Sequence, residues 1–187
     1  MIYIISGVTR SGKSILTRRL HHKYGIPFFH LDHMMFGMVK AFPDCGFQGD
    51  TDDLVKAKIL GPMVVGMLEE MHTDGVRDYL VDGVALLPAH VTQLTTHYPS
   101  AFKACWLGYP SAQQEQKFTD IRSNTASDDW LNRYPDDYVR KIVAYGIEKS
   151  LTLQQQCQNE NIRFFDTAQN FETTLQEAET YLLEAIQ

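Results

Sequence analysis

The sequence predicts an α/β domain whose helices cover both faces of a five-stranded parallel sheet. Two observations carry this. Short β-branched or aromatic runs alternate with longer stretches of helical periodicity, as successive βαβ units require, and those runs are mostly apolar throughout, as strands covered on both faces must be. Length and composition agree: 187 residues, 44% hydrophobic and 21% charged, make one domain with its own core spanning residues 1–187.

The first strand is Ile2 to Ser6, and Lys13 to Tyr24 follows as a helix stopped by Gly25, with His21, His22 and Lys23 meeting the negative end of its dipole. Pro27 to Leu31 reads as the second strand. Thr51 is placed to cap a helical segment in which Leu54, Val55, Ile59, Met63, Met67 and Met71 recur at roughly helical spacing. Within it, Gly61-Pro62 should kink or divide the helix, because proline lacks an N–H and crowds the preceding turn. Tyr79 to Val81 and Ala101 to Leu107 are the third and fourth strands, and Ser111 to Asn124 and Pro135 to Asn159 are helical. Ile162 to Phe165 completes the sheet. Phe171 to Ile186 closes the chain as a helix with Leu175, Ala178, Leu182 and Leu183 on one side.

Charge excludes some partners. Seventeen Lys plus Arg against 23 Asp plus Glu leave a formal charge of −6, which offers a polyanion no general attraction, so no nucleic acid partner is expected. Cys45, Cys105 and Cys157 are odd in number, far apart and without a CxxC pair, as reduced structural thiols are. No apolar run approaches the roughly 18 residues of a membrane span, and Ile2 to Ile5 is too short for a signal peptide. The expectation is a soluble, cytoplasmic protein with no membrane partner; assembly state is left open.

Directly after the first strand, Gly7-Val8-Thr9-Arg10-Ser11-Gly12-Lys13-Ser14 is a complete GxxxxGKS between a strand and a helix, the context that gives this motif its meaning. Glycines let consecutive backbone N–H groups turn inward around phosphate oxygens, and the helix adds its positive end. The backbone from Gly7 through Ser14 and Ile15 is therefore the predicted nucleotide cradle. Lys13 would neutralise the β and γ phosphates of ATP, and Ser14 would place its hydroxyl on the bridging Mg²⁺.

Beyond that loop, the chain resembles the P-loop kinases of the nucleotide-kinase group, which includes adenylate, shikimate and gluconate kinases and the zeta-toxin-like and 2-phosphoglycerate-kinase-like enzymes. The likeness spans the chain. It rests on the phosphate loop, on His30-Leu31-Asp32 at the second strand's end, on Val81-Asp82-Gly83-Val84 at the third's, and on an arginine-bearing segment after the fourth. It implies the three-layer P-loop NTPase fold with strand order 2-3-1-4-5 and ligands over the carboxyl ends of the strands.

The resemblance also implies roles. Asp32, emerging from the strand end, would accept the proton of the acceptor hydroxyl or hold a magnesium-bound water. Asp82 reads as a Walker-B-like acid that contacts Mg²⁺ in its outer sphere and hydrogen-bonds Ser14. Phosphoryl transfer needs cations on a mobile segment, and the lid-like residues 108–134 carry Arg122, with Phe118 and Ile121 turned inward, and Arg133; Arg10 in the loop is a third candidate. Ala168 and Gln169, after the last strand, would border the purine. The acceptor segment spans about residues 33–76, where Lys40, Lys56 and Lys58 could either select an anionic acceptor or solvate a helix. His30, Asp32 and His33 suggest a metal, but strand alternation would put His33 on the opposite side from the other two.

The leading expectation is an ATP-dependent kinase acting on a hydroxyl-bearing small molecule. A nucleoside monophosphate kinase would want arginines for the acceptor phosphate, yet none occurs between Arg19 and Arg77, and Gly83 is followed by Val84-Ala85 where adenylate kinases carry Pro-Arg soon after Asp-Gly. A regulatory or sensor nucleotide-binding protein is the third alternative; DxxG and NKxD, which a GTPase switch would show, are both missing.

Overall fold

The computed structural model describes residues 1–184. Five parallel strands run β1 (Ile2–Gly7), β2 (Phe28–His30), β3 (Tyr79–Asp82), β4 (Phe102–Gly108) and β5 (Arg163–Asp166), in the sheet order β2-β3-β1-β4-β5. Seven helices are described: α1 (Lys13–Tyr24), α2 (Leu31–Ala41), α3 (Asp53–Thr73), α4 (Pro88–His97), α5 (Gln114–Asn124), α6 (Asp136–Asn159) and α7 (Phe171–Leu183). A 3₁₀ turn, Trp130–Arg133, lies between α5 and α6. The predicted end of the closing helix at Ile186 lies outside the described residues.

Strand alternation divides the core into two layers. Ile2 and Ile4 of β1, with Val81, Ala104 and Trp106, face Met35 of α2, Leu60, Val64 and Leu68 of α3, Val91 and Leu94 of α4, and Leu153 of α6. Tyr3, Ile5, Leu80, Cys105 and Leu107 point the other way, onto Leu16 and Leu20 of α1 and Leu175, Ala178 and Leu182 of α7. A third cluster, Phe118, Ile121, Leu131, Val139 and Val143, gives the segment after β4 a small core of its own. The register pairs His30 with Asp82, Asp82 with Ile5, Gly7 with Leu107 and Gly108 with Asp166, so the carboxyl ends of all five strands share one edge. That edge carries the site.

Four sequence expectations are corrected here. The second strand ends at His30, and Leu31 begins α2, because Leu31 and Met35, one turn apart, bury themselves against the sheet while Phe36 stays outside. Asp32 therefore belongs to the first turn of a helix. Asp52, not Thr51, caps α3, its carboxylate accepting the N–H groups of Leu54 and Val55, while the Thr51 hydroxyl accepts from Gln48 N–H. Gly61-Pro62 does not divide α3, which runs unbroken for 21 residues; Leu60, Val64, Val65 and Leu68 pin both halves to one core, and Gly61 is where the His90 ring of α4 packs closely. Finally, α4 occupies a stretch left unassigned by periodicity, opened by Pro88 in its first turn and held by Val91 and Leu94.

Candidate active site

The phosphate loop is built by the packing of β1 beside β4. Gly7 has φ +130°, and a side chain there would overlap the Leu107 carbonyl, so only glycine lets the chain turn off the strand. Val8 N–H then donates to Leu107 O at 3.1 Å, and the Ser11 hydroxyl donates to Val8 O at 2.8 Å, closing the loop on itself. Gly12, at φ +98°, begins α1 with no side-chain cap and no acidic residue in the first turn. The helix thus opens on uncapped N–H groups, the arrangement that takes an anion.

Lys13 is buried, its Nζ donating to Val8 O at 2.7 Å. Burial holds its pKa below the ordinary lysine range, opposed by the carboxylates of Asp32 and Asp82. Asp32 shows the converse. Its carboxyl is pushed above the usual range chiefly by burial, with Lys13 pulling the other way, and Oδ1 has no hydrogen-bond partner among the described residues.

Asp82 is 3% exposed and fully engaged. It accepts from Thr17 Oγ1 at 2.6 Å and pairs with His30 Nδ1. Its predicted partner was Ser14; α1 turns Thr17 onto its buried face and leaves Ser14 at the open mouth of the loop. The separation predicted between His30 and His33 also fails. With α2 starting at Leu31, the two rings meet edge to face at 5.4 Å, three residues apart across the strand-to-helix junction. Among the described residues no cluster of three or more His, Cys, Asp or Glu could hold a metal.

The lid-like segment assigns its cations differently from expectation. Arg122 turns away from the loop: Nε donates to Asp136 at 3.0 Å, and its terminal nitrogens donate to Leu131 O at 3.1 Å and Tyr134 O at 2.8 Å. Its guanidinium braces the lid internally. Arg133 is exposed and has no ion pair or hydrogen bond among the described residues. Arg10 instead joins loop to lid, forking onto Asp129 with Nη1–Oδ2 at 2.8 Å and lying 5.4 Å from the Trp130 ring centroid. Sequence reasoning missed Lys117. This α5 lysine is buried, with its ammonium 4.5 Å from the Tyr109 ring centroid and 5.7 Å from that of Phe171, the ring that packs on Gly12, and it has no hydrogen-bond acceptor among the described residues. No sequence signal distinguishes such a lysine from a solvated one.

On the proposed purine side, Gln169 is exposed, but the Ala168 N–H is taken by the Asp166 carboxylate at 3.0 Å. Thr167 ties this loop to Gly108 through its backbone N–H and its hydroxyl. On the acceptor side Lys40 and Lys58 are exposed, whereas Lys56 is buried and donates to Gly49 O at 2.7 Å.

Likeness to solved structures shows the fold. The chain superposes on shikimate kinase from Bacteroides thetaiotaomicron with a TM-score of 0.57 at 16% identity, covering 100% of this chain and 98% of that one. A gluconokinase from Sinorhizobium meliloti 1021 gives 0.56 at 17% identity over 97% and 91% of the two chains. A sugar kinase from Janibacter sp. HTCC2649 gives 0.52 at 15% over 97% and 93%. The chain has the three-layer fold of the P-loop kinases. No family model and no curated protein matches it. No helix among the described residues is long and apolar enough to cross a membrane.

Proposed function

We propose that the protein is an ATP-dependent kinase that transfers the γ-phosphoryl group to a hydroxyl of a small molecule. The observation that carries this reading is Asp32, a half-buried carboxylate with one buried, unpartnered oxygen, whose charge is felt by the lysine of a complete phosphate loop. A nucleotide-binding protein without transfer chemistry gains nothing from that arrangement, since a buried, unsatisfied acceptor costs stability. A kinase uses it as a base.

Lys13 exchanges the Val8 carbonyl for phosphate oxygens when the triphosphate enters. The acceptor oxygen forms its bond to the γ-phosphorus as the bond from that phosphorus to the β–γ bridging oxygen breaks, and the hydroxyl proton passes to Asp32 while ADP leaves. Magnesium suits the donors present: it keeps most of its waters and takes few protein ligands, so the open Ser14 hydroxyl and, through water, Asp82 would hold it. It would supply neutralisation of phosphate charge. Thr17 and His30 fix the Asp82 carboxylate in place. Lys117 and Arg133 have the uncommitted charge to meet the transferred group, while Arg122 keeps the lid in shape.

The test is transfer of label from γ-labelled ATP across a panel of small hydroxyl compounds in single-turnover mode. Label on an acceptor is the expected result. Release to water alone would indicate an ATPase, and binding without turnover a sensor.

A further inference from the structure

A surface helix ordinarily carries polar side chains opposite its buried stripe, and one that is apolar on every side is covered. Helix α3 buries Ala57, Leu60, Val64, Val65 and Leu68 in the core. Its opposite side is nearly as apolar. Val55, Ile59 and Met63, each about one turn from the next, are 40–43% exposed, and beside them Pro62 is exposed and Gly66 partly so. A side chain at Gly66 would meet nothing within 4 Å, so the helix surface has an open notch there. Single exposed apolar side chains are ordinary on a protein surface, whereas a contiguous run of them along one helix marks an interaction surface.

Charges stand only at the ends of that face. Lys58 and Glu70 are exposed, and neither has an ion pair among the described residues. With Pro62 and Gly66 they make one ridge of the helix at intervals of four residues, in the order Lys58, Pro62, Gly66, Glu70. Such a ridge is complementary to itself. A two-fold axis between Pro62 and Gly66 would set each Lys58 against the other copy's Glu70 and each Pro62 against the other copy's Gly66, as an isologous contact requires. The small residues at the centre let two backbones approach, and Ile59 and Met63 of each copy close over the notch of the other. The occupant that this antisymmetry of charge fits is a second copy of the chain.

We infer that the outer face of α3 is the interface of a two-fold homodimer, in which two copies pack antiparallel across Val55, Ile59, Pro62, Met63 and Gly66 with a Lys58–Glu70 pair at each end. From Val55 to Glu70 the helix rises by about 24 Å. One helix face of that length is smaller than an interface of standard size, so the dimer is reversible, with a Kd on the order of 1–100 µM. Dimerisation through α3 does not depend on the kinase reading.

The test is sedimentation equilibrium of the full chain from about 1 to 200 µM, where a reversible monomer–dimer equilibrium is expected. Ile59→Glu brings two carboxylates into the interface from positions exposed in the monomer and should weaken the dimer by ~100-fold or more. The charges give a second readout. Lys58→Glu and Glu70→Lys should each weaken the dimer by ~10-fold, because each turns two attractions into two repulsions. The double variant Lys58→Glu/Glu70→Lys restores opposite charges at both ends and should recover the wild-type Kd to within about threefold, as should an equimolar mixture of the two single variants. A chain that stays monomeric throughout leaves the face to a partner of another kind and overturns the inference. So would a dimer untouched by Ile59→Glu, or a charge-swapped double variant no tighter than the single ones.

Discussion

Under the proposed function, Asp32 trades stability for chemistry. Its folded-state pKa lies above the unfolded value of 3.8, chiefly through burial, so the ionised form costs stability at every pH above the folded pKa and is relieved as pH falls through it. Asp32→Asn should therefore raise the unfolding temperature at pH 7, by roughly 2–4 °C for each kcal/mol gained in a domain of this size. A thermal melt checks this, and a drop in melting temperature would contradict the burial argument. The same shift acts on catalysis. A base must be ionised, so the acid limb of the kcat profile in the wild type should fall at a pH above the ordinary carboxylate range, and Asp32→Asn should erase that limb. The residue scale also shows what a sequence hides. GxxxxGKS was legible because it is local, and Asp32 and Asp82 stood out as candidates because they follow apolar runs. That Thr17 rather than Ser14 meets Asp82, or that Lys117, Lys56 and Lys149 are buried, depends on what packs over them.

At the scale of elements, α3 and the lid carry the predictions. Alanine is a better helix former than glycine by about 1 kcal/mol, yet Gly61→Ala should destabilise the protein by about 1–3 kcal/mol, because the added methyl overlaps the His90 ring where α4 crosses α3. Denaturant unfolding decides the sign. The same contact gives Gly61 its packing reason, and buried residues on either side of Pro62 keep the helix from dividing. The lid is tied to the phosphate loop by Arg10 and Asp129, each about one-fifth exposed. Breaking that link with Asp129→Asn should cost no more than about 1 kcal/mol of global stability but speed amide hydrogen exchange across residues 126–134. Unchanged exchange there would mean that the lid's own core, Phe118, Ile121, Leu131, Val139 and Val143, holds it down alone.

The whole molecule places five strand ends on one edge, from which the GxxxxGKS loop, α2 and the segment after β4 continue. Five strands were legible because each is short, apolar and flanked by turn or helix signals; their order came from the resemblance to P-loop kinases. The helices α2 and α4 were not. The first follows its strand with no intervening turn, and the second has, after Pro88, only Val91 and Leu94 buried inside it to mark a period. The same asymmetry holds for side chains: a motif written in eight consecutive residues was readable, whereas the ion pair that joins α3 to α6 links Asp53 and Lys149, 96 residues apart in sequence.

The most direct measurement is a paired one on Asp32→Asn and the wild type: equilibrium affinity for magnesium ATP, and single-turnover transfer of the γ-phosphoryl group to an accepted hydroxyl compound. We expect affinity to stay within about threefold while transfer falls by ~10²–10⁴-fold. Transfer at the wild-type rate in the variant would contradict the account.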